Sequence, residues 1–426
     1  MKNWIAKIII AIPFVPLLFD GNVFFPYISP KIFVLRFFAF LIAVLITADL
    51  FGVEKENTLN SIKQIIKNKL FRAYTILLGV ITLSALFATD THKALMGDIE
   101  RSEGLITHIC FAMIVFGAVY AMTKKDWIDL WKSTILSGFI LFVSVLFPYL
   151  NGANRPSSFV DNPIFLAAYF IFILMVSAVF TTTLLREGES WKSPVCLWGI
   201  IGILFSFFGL SITETRGAIL GTVIGLFAIG VILTIRSWVM ISVKKKIGLL
   251  VVLFAFTIFV FVGAFTPLGQ KIPGFSRLSQ SSHTDFTKTA RFLNIGISLQ
   301  SVNPMKNGIK PLLIGWGQDN YNVAWYKNYN PKVYEDDKAS FDRAHNKIFD
   351  VLVMNGLFAL LCYVCIFLLI VRTWLRAPLY IGLPLLFWCV AHFIQNLFAF
   401  ESIVNYIPFF LVVAFTVWYQ INSYEN

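Results

Sequence analysis

Apolar residues occur in long runs separated by short polar stretches, and the length of those runs predicts the elements. A helix rises 1.5 Å per residue, so about 20 apolar residues cross the roughly 30 Å of a bilayer's hydrocarbon core. About twelve runs meet this test, over residues 5–23, 33–50, 73–88, 105–122, 130–150, 163–185, 195–211, 218–235, 247–265, 347–371, 379–397 and 403–419. The first could pass for a signal peptide, but no small-residue cleavage site follows it, so it reads as a retained helix. One connection breaks the pattern: residues 266–346 are hydrophilic, and a loop of that length is expected to have a function or a fold of its own. Within it, Phe292, Ile295, Leu299 and Val302 recur at helical spacing before Pro304, which predicts a surface helix over 288–302 lying apolar face down. The pattern divides the chain into helices one to nine (1–265), a loop domain (266–346) and helices ten to twelve (347–426). No internal repeat or low-complexity tract interrupts it.

Composition agrees with a membrane solvent. Of 426 residues, 58% are apolar and 14% charged, against about 45–50% and 25% in soluble domains. The expected fold is therefore an all-α polytopic membrane protein of about 12 transmembrane helices, with one large extracytoplasmic loop containing short helices. Disordered, fibrous and disulfide-framed secreted classes are excluded.

The formal charge of +12 raises nucleic acid as a partner, but the placement of the cations argues against it. Eighteen Lys and Arg fall in one alternate set of short loops and six in the other. The positive-inside rule then puts both termini in the cytoplasm and the long loop outside. The five cysteines lie in or beside apolar runs, and the Cys362/Cys365 pair lacks His or Cys partners, so all read as membrane-buried thiols.

The unusual polar residues gather on the outer side. Arg101 precedes helix four, Arg155 and Asp161 precede helix six, and Arg216 precedes helix eight; Arg291 lies on the surface helix, and Arg343 and His345 at the start of helix ten. Arginine is disfavoured in short outer loops, so a shared anionic ligand is an economical reason to keep several there. Asp342 is the expected N-cap of helix ten, which would put Arg343, Ala344 and His345 in its first turn. Free N–H groups at that end suit phosphate, and the same dipole keeps a histidine neutral and available as a base. Each residue also has a plainer reading. His345 would be an interfacial histidine, Arg216 a snorkelling partner of Glu214, Arg291 the wet edge of its helix, and Arg101 and Arg155 headgroup or loop ion-pair residues. Gly315-Trp316-Gly317 reads as a tight turn with an aromatic anchor. No Lys-Ser/Thr follows it, so it is a poor phosphate loop. His92, His108, His283 and His392 lack metal-ligand spacing, and Asp336-Asp337 reads as a solvated face or a weak cation site.

Several segments, in this order, resemble the O-antigen ligase and O-antigen polymerase family of bacterial envelope glycosyltransferases. They are Arg-Ser-Glu-Gly-Leu (101–105), Asp-Asn-Pro-Ile-Phe-Leu-Ala (161–167) and Thr-Glu-Thr-Arg-Gly-Ala (213–218). Ala-Arg-Phe-Leu-Asn-Ile-Gly (290–296), Gly-Trp-Gly-Gln-Asp-Asn-Tyr (315–321) and Arg-Ala-His-Asn-Lys-Ile-Phe-Asp (343–350) follow, then Asn-Gly-Leu (355–357). The sharpest motifs lie between 155 and 356. The resemblance implies a GT-C-like fold in the bacterial cytoplasmic membrane. It implies transfer of a glycan from undecaprenyl pyrophosphate to an acceptor hydroxyl on the outer face, the acceptor being lipid A–core, another carrier-linked glycan or a protein. It implies that Arg216 and Arg291 hold the pyrophosphate and that His345 acts on the acceptor hydroxyl, with Arg155, Arg101, Arg343 and Asn346 as further substrate contacts. No metal and no cofactor is expected. The competing class is a transporter or flippase for the same lipid-linked anion, which predicts ionisable residues deep in the helices, broken helices or repeat symmetry.

Overall fold

The computed structural model describes residues 1–52, 55–236, 286–333 and 340–422, with the isolated positions 248, 251, 266 and 267. The predicted ninth span (247–265), His283 and Asp336-Asp337 lie outside the described residues, apart from the isolated positions at 248 and 251. Among the described residues all regular structure is helical. Nine of these helices are long and apolar enough to cross a membrane, and Leu105–Ala121 is a shorter apolar helix. The chain is a multi-pass membrane protein with an all-α fold.

The chain forms two compact units, 1–133 with 284–373 and 399–426, and 134–283 with 374–398. In the first, α1 (Lys2–Ala11), α2 (Ser29–Phe51), α3 (Lys55–Lys67), α4 (Lys69–Leu86), α5 (Thr91–Met96) and α6 (Leu105–Ala121) lead into α7 (Lys124–Leu150). The predicted first span is not one helix. Pro13 and Pro16 remove N–H donors, and the chain passes into a 3-10 turn over Ile12–Leu17. Helix α6 packs against α1, α2 and the last helix of the chain.

The second unit holds the rest of α7, then α8 (Pro163–Arg186), α9 (Pro194–Ile212), α10 (Arg216–Arg236) and a later helix, Leu379–Asn396. Asn162 caps α8 by accepting from the Ile164 N–H (2.9 Å), with Pro163 at the first position, where its missing N–H costs nothing. Gly221 and Gly225 of α10 have no Cβ, and backbone of Ala391 and the ring of Phe387 fill the space that one would need. Small residues at this spacing let two apolar helices close to van der Waals contact, which drives packing where no hydrophobic effect operates.

The loop segment returns to the first unit as α11 (Phe286–Ser301), α12 (Pro304–Asn307), α13 (Ile309–Ile314) and α14 (Tyr321–Lys327). It is followed by α15 (Lys347–Arg376), then α16 (Leu379–Asn396) in the second unit and α17 (Ile403–Asn422). Ile297, Trp316, Tyr321, Trp325, Phe341 and Met354 share one core. The predicted surface helix forms; of its apolar stripe Val302 is buried in the core and Ile295 is half-buried. Asn294, Ile297, Ser298 and Ser301 are buried, while Phe292 and Leu299 are exposed. Hydrogen bonds supply the reason: Ser298 Oγ pairs with Tyr321 Oη (2.8 Å), and the Ser301 carbonyl accepts from Trp316 Nε1 (3.0 Å).

Helix α15 is kinked where Gly356 takes φ +78°. The interrupted ladder frees the carbonyls of Val353 and Met354, which accept from Trp316 N–H (2.9 Å) and Gly317 N–H (2.8 Å). The Gly315-Trp316-Gly317 turn thus completes the broken helix. A Cβ on Gly356 would meet the backbone of Leu313 and Ile314. Gly356→Ala is expected to cost about 3 kcal/mol or more, from left-handed strain and overlap with atoms that cannot swing away. A lowered melting temperature of the detergent-solubilised protein checks it.

Candidate functional site

Helix α15 starts two residues after the predicted motif histidine. Asn346 caps it, its Oδ1 accepting from Ile348 N–H (3.0 Å) and Phe349 N–H (3.4 Å). Asp342 is therefore not the cap, and residues 343–345 are not a first turn. His345 has φ +55°, which no α-helical residue can hold, and the Asp342 carboxylate is engaged by Arg101 Nε. His345 still stands immediately before a helix N-terminus.

The peptide groups around it are tied by buried side chains. Ala344 N–H donates to Asp350 Oδ1 (2.6 Å). The Arg343 carbonyl accepts from His345 Nδ1 (3.3 Å). A carbonyl only accepts, so Nδ1 carries the hydrogen and Nε2 keeps its lone pair. Phe341 (5.4 Å) and Phe400 (4.9 Å) meet the ring edge-on. Burial in this apolar setting, and then the Arg291 charge, hold the imidazole below its ordinary pKa; its bond to the Arg343 carbonyl opposes this. Arg291 therefore lies within electrostatic reach of His345.

The other predicted residues of this unit have defined partners. Arg101 pairs with Asp342 and lies with its guanidinium 4.5 Å from the centre of the Phe400 ring, the same ring that His345 meets. Arg343, expected at the substrate, is buried, with Nη2 bonded to Glu103 Oε2 (3.0 Å) and to Asp319. Its guanidinium is engaged by the protein's own carboxylates, and Asn346 acts as a helix cap; both build the site. Burial pushes the Glu103 carboxyl up to about 7, with Asp319 adding to the rise and Arg343 opposing it. Burial works against the Arg343 charge, but the surrounding carboxylates, Asp319 and Glu103 first, outweigh it and hold the guanidinium well above its ordinary value.

In the second unit the motifs around Arg155 and Arg216 converge on one turn. Arg155 Nε donates to the Thr213 carbonyl (3.4 Å) in the turn that starts α10, and Arg216 is the first residue of that helix. Thr215 Oγ1 donates to the carbonyl of Pro163 (3.3 Å), joining the same turn to the start of α8. Arg155 and Glu214 both take positive φ there.

A second polar cluster in the first unit was not legible in the sequence. Lys347 Nζ lies 2.5 Å from Glu401 Oε2 and 3.2 Å from Tyr406 Oη, beside His108, Gln318 and Asn355. The cavity they line measures about 40 Å³, room for water-sized molecules and not for a sugar. Asp319 and Glu103 were missed as partners of Arg343. The available signal was two acids in the same outer motifs as the arginines, and composition gives no direction for pairing across 24 or 240 residues. Among the described residues no group of three or more His, Cys, Asp or Glu is placed to hold a metal ion.

Residues 201–364 match the family model described as O-antigen ligase. The match takes in Arg216, Arg291, Arg343, His345 and Asn346 and stops short of Arg101 and Arg155. No curated protein matches the chain.

Proposed function

We propose that this chain, whose residues 201–364 match the family model described as O-antigen ligase, transfers a glycan from undecaprenyl pyrophosphate to an acceptor hydroxyl. The reaction takes place on the outer face of the bacterial cytoplasmic membrane, with both termini in the cytoplasm, as the distribution of basic loops implies. The observation that carries this reading is the neutral imidazole of His345, tied at Nδ1 and open at Nε2, within electrostatic reach of the Arg291 guanidinium.

The chemistry divides between these groups. His345 Nε2 takes the proton of the acceptor hydroxyl as its oxygen attacks the anomeric carbon. The bond from that carbon to the pyrophosphate oxygen breaks, and the electron pair leaves on the phosphate. Pyrophosphate is already a good leaving group, so guanidiniums can stabilise its growing charge without a metal. Arg291 takes this role beside the base. Arg216, the first residue of α10, is the further pyrophosphate ligand the resemblance implies, and Arg155 is a further substrate contact. Single displacement inverts the anomeric centre.

The test supplies purified protein in proteoliposomes with carrier-linked glycan and, in turn, lipid A–core, a second carrier-linked glycan and a protein acceptor. The expected result is release of undecaprenyl pyrophosphate in step with glycan appearing on one acceptor, which also separates ligase, polymerase and protein glycosyltransferase. Movement of the intact carrier-linked glycan across the bilayer without cleavage would overturn the reading in favour of transport.

A pH profile adds an independent check. The base must be neutral, and burial with Arg291 lowers its pKa from 6.5. The acid limb of kcat/KM should therefore lie below pH 6.5, and Arg291→Gln should raise it by removing a nearby positive charge. A limb at or above 6.5 in the wild-type protein contradicts the assignment.

A further inference from the structure

The carbonyl that fixes the His345 tautomer is itself held from the other side. Asn294 Nδ2 donates to the Arg343 carbonyl (2.9 Å), the oxygen that also accepts from His345 Nδ1. Both lone pairs of that oxygen are thus committed, one to the base and one to Asn294. The Asn294 amide cannot rotate: its Oδ1 accepts from Tyr321 Oη (2.9 Å), which also pairs with Ser298 Oγ. Asn294 is fully buried on α11, one turn after Arg291. A single side chain therefore joins the helix that carries Arg291 to the loop that carries His345.

We infer that Asn294 is a positioning residue: it orients the Arg343 carbonyl that sets the His345 ring and fixes the separation of Arg291 from that ring. The inference rests on the functional reading above. A buried polar side chain is costly unless bonded, and here the donor side of the Asn294 amide is committed to the carbonyl that His345 uses. The charged groups around His345 are Arg291 on α11, Asp342 and Arg343 on its own loop, and Arg101 from the loop before α6. Only the first is carried by the helix that Asn294 anchors.

The test compares Asn294→Leu with Tyr321→Phe, which leaves Asn294 in place and removes the hydroxyl that orients its amide. Losing one buried hydrogen bond at the site should lower kcat about tenfold in Asn294→Leu and about threefold in Tyr321→Phe. The acid limb of the pH profile should move in both, upward where the Arg291 charge recedes and downward where the bond to the Arg343 carbonyl weakens. Adding Arg291→Gln to Asn294→Leu should then move the limb less than Arg291→Gln does alone. If Asn294→Leu fails to fold, Tyr321→Phe carries the test. Folded variants with wild-type kcat and an unmoved limb would overturn the inference and reduce Asn294 to a packing residue. Full transfer by His345→Ala would instead sink the functional reading itself, so the two failures are distinct.

Discussion

His345→Ala should lower the rate of glycan transfer by about 10²–10⁴-fold, the usual contribution of a positioned general base. A sugar hydroxyl is a poor nucleophile, and among the described residues of this loop His345 carries the one imidazole. The loss should fall on kcat. The ring meets Phe341 and Phe400 at its edges and donates one long bond to the Arg343 carbonyl. The loop is also tied independently through Asp350 and Asn294, so the variant should fold. The measurement is turnover of carrier-linked glycan by the purified variant, with its melting temperature beside it. Transfer at the wild-type rate by intact protein would remove His345 from the chemistry.

Arg343→Met should act differently, on stability before activity. Arg343 is buried between Glu103 and Asp319, and truncating its charge strands two carboxylates away from water. Breaking a buried ion pair by removing one partner costs about 3–5 kcal/mol, because the remaining charge is uncompensated. The variant should therefore be poorly folded, seen as a large drop in melting temperature or in recovered protein. Removing one of the stranded charges with Glu103→Gln should restore part of it. If Arg343→Met melts like the wild type and loses only donor affinity, Arg343 binds substrate after all and its pairing with the carboxylates is incidental.

These contrasting outcomes follow from what was and was not legible in the sequence. Membrane helices were legible because a bilayer imposes a length and forbids unpaired backbone polar groups, so apolar run length alone locates α8, α9, α10 and α17 closely. The first span was misread because its hydropathy is unbroken while Pro13 and Pro16 end the helix. For α11 the apolar period located the helix but not the polar side chains buried with it. Three polar side chains, Asn294, Ser298 and Ser301, are buried through specific bonds, and periodicity cannot see partners 23 or 49 residues away. The cap of α15 was placed at Asp342 by the same local logic, whereas a pairing with Arg101 across 241 residues leaves Asn346 to do the work. Motif order marked Arg291 and His345 as members of one candidate site. It also marked Arg343 as one more outer arginine, because charge type is visible in a sequence and charge balance is not.

The division of labour between binding and chemistry is tested most directly by equilibrium affinity for undecaprenyl pyrophosphate-linked glycan, measured on purified protein in lipid nanodiscs. His345→Ala should bind the donor about as tightly as the wild type while failing to turn it over. Arg291→Gln should bind it at least about tenfold more weakly, as expected for loss of a charge-assisted contact to phosphate. Undiminished donor affinity in Arg291→Gln, or lost affinity confined to His345→Ala, would contradict the account.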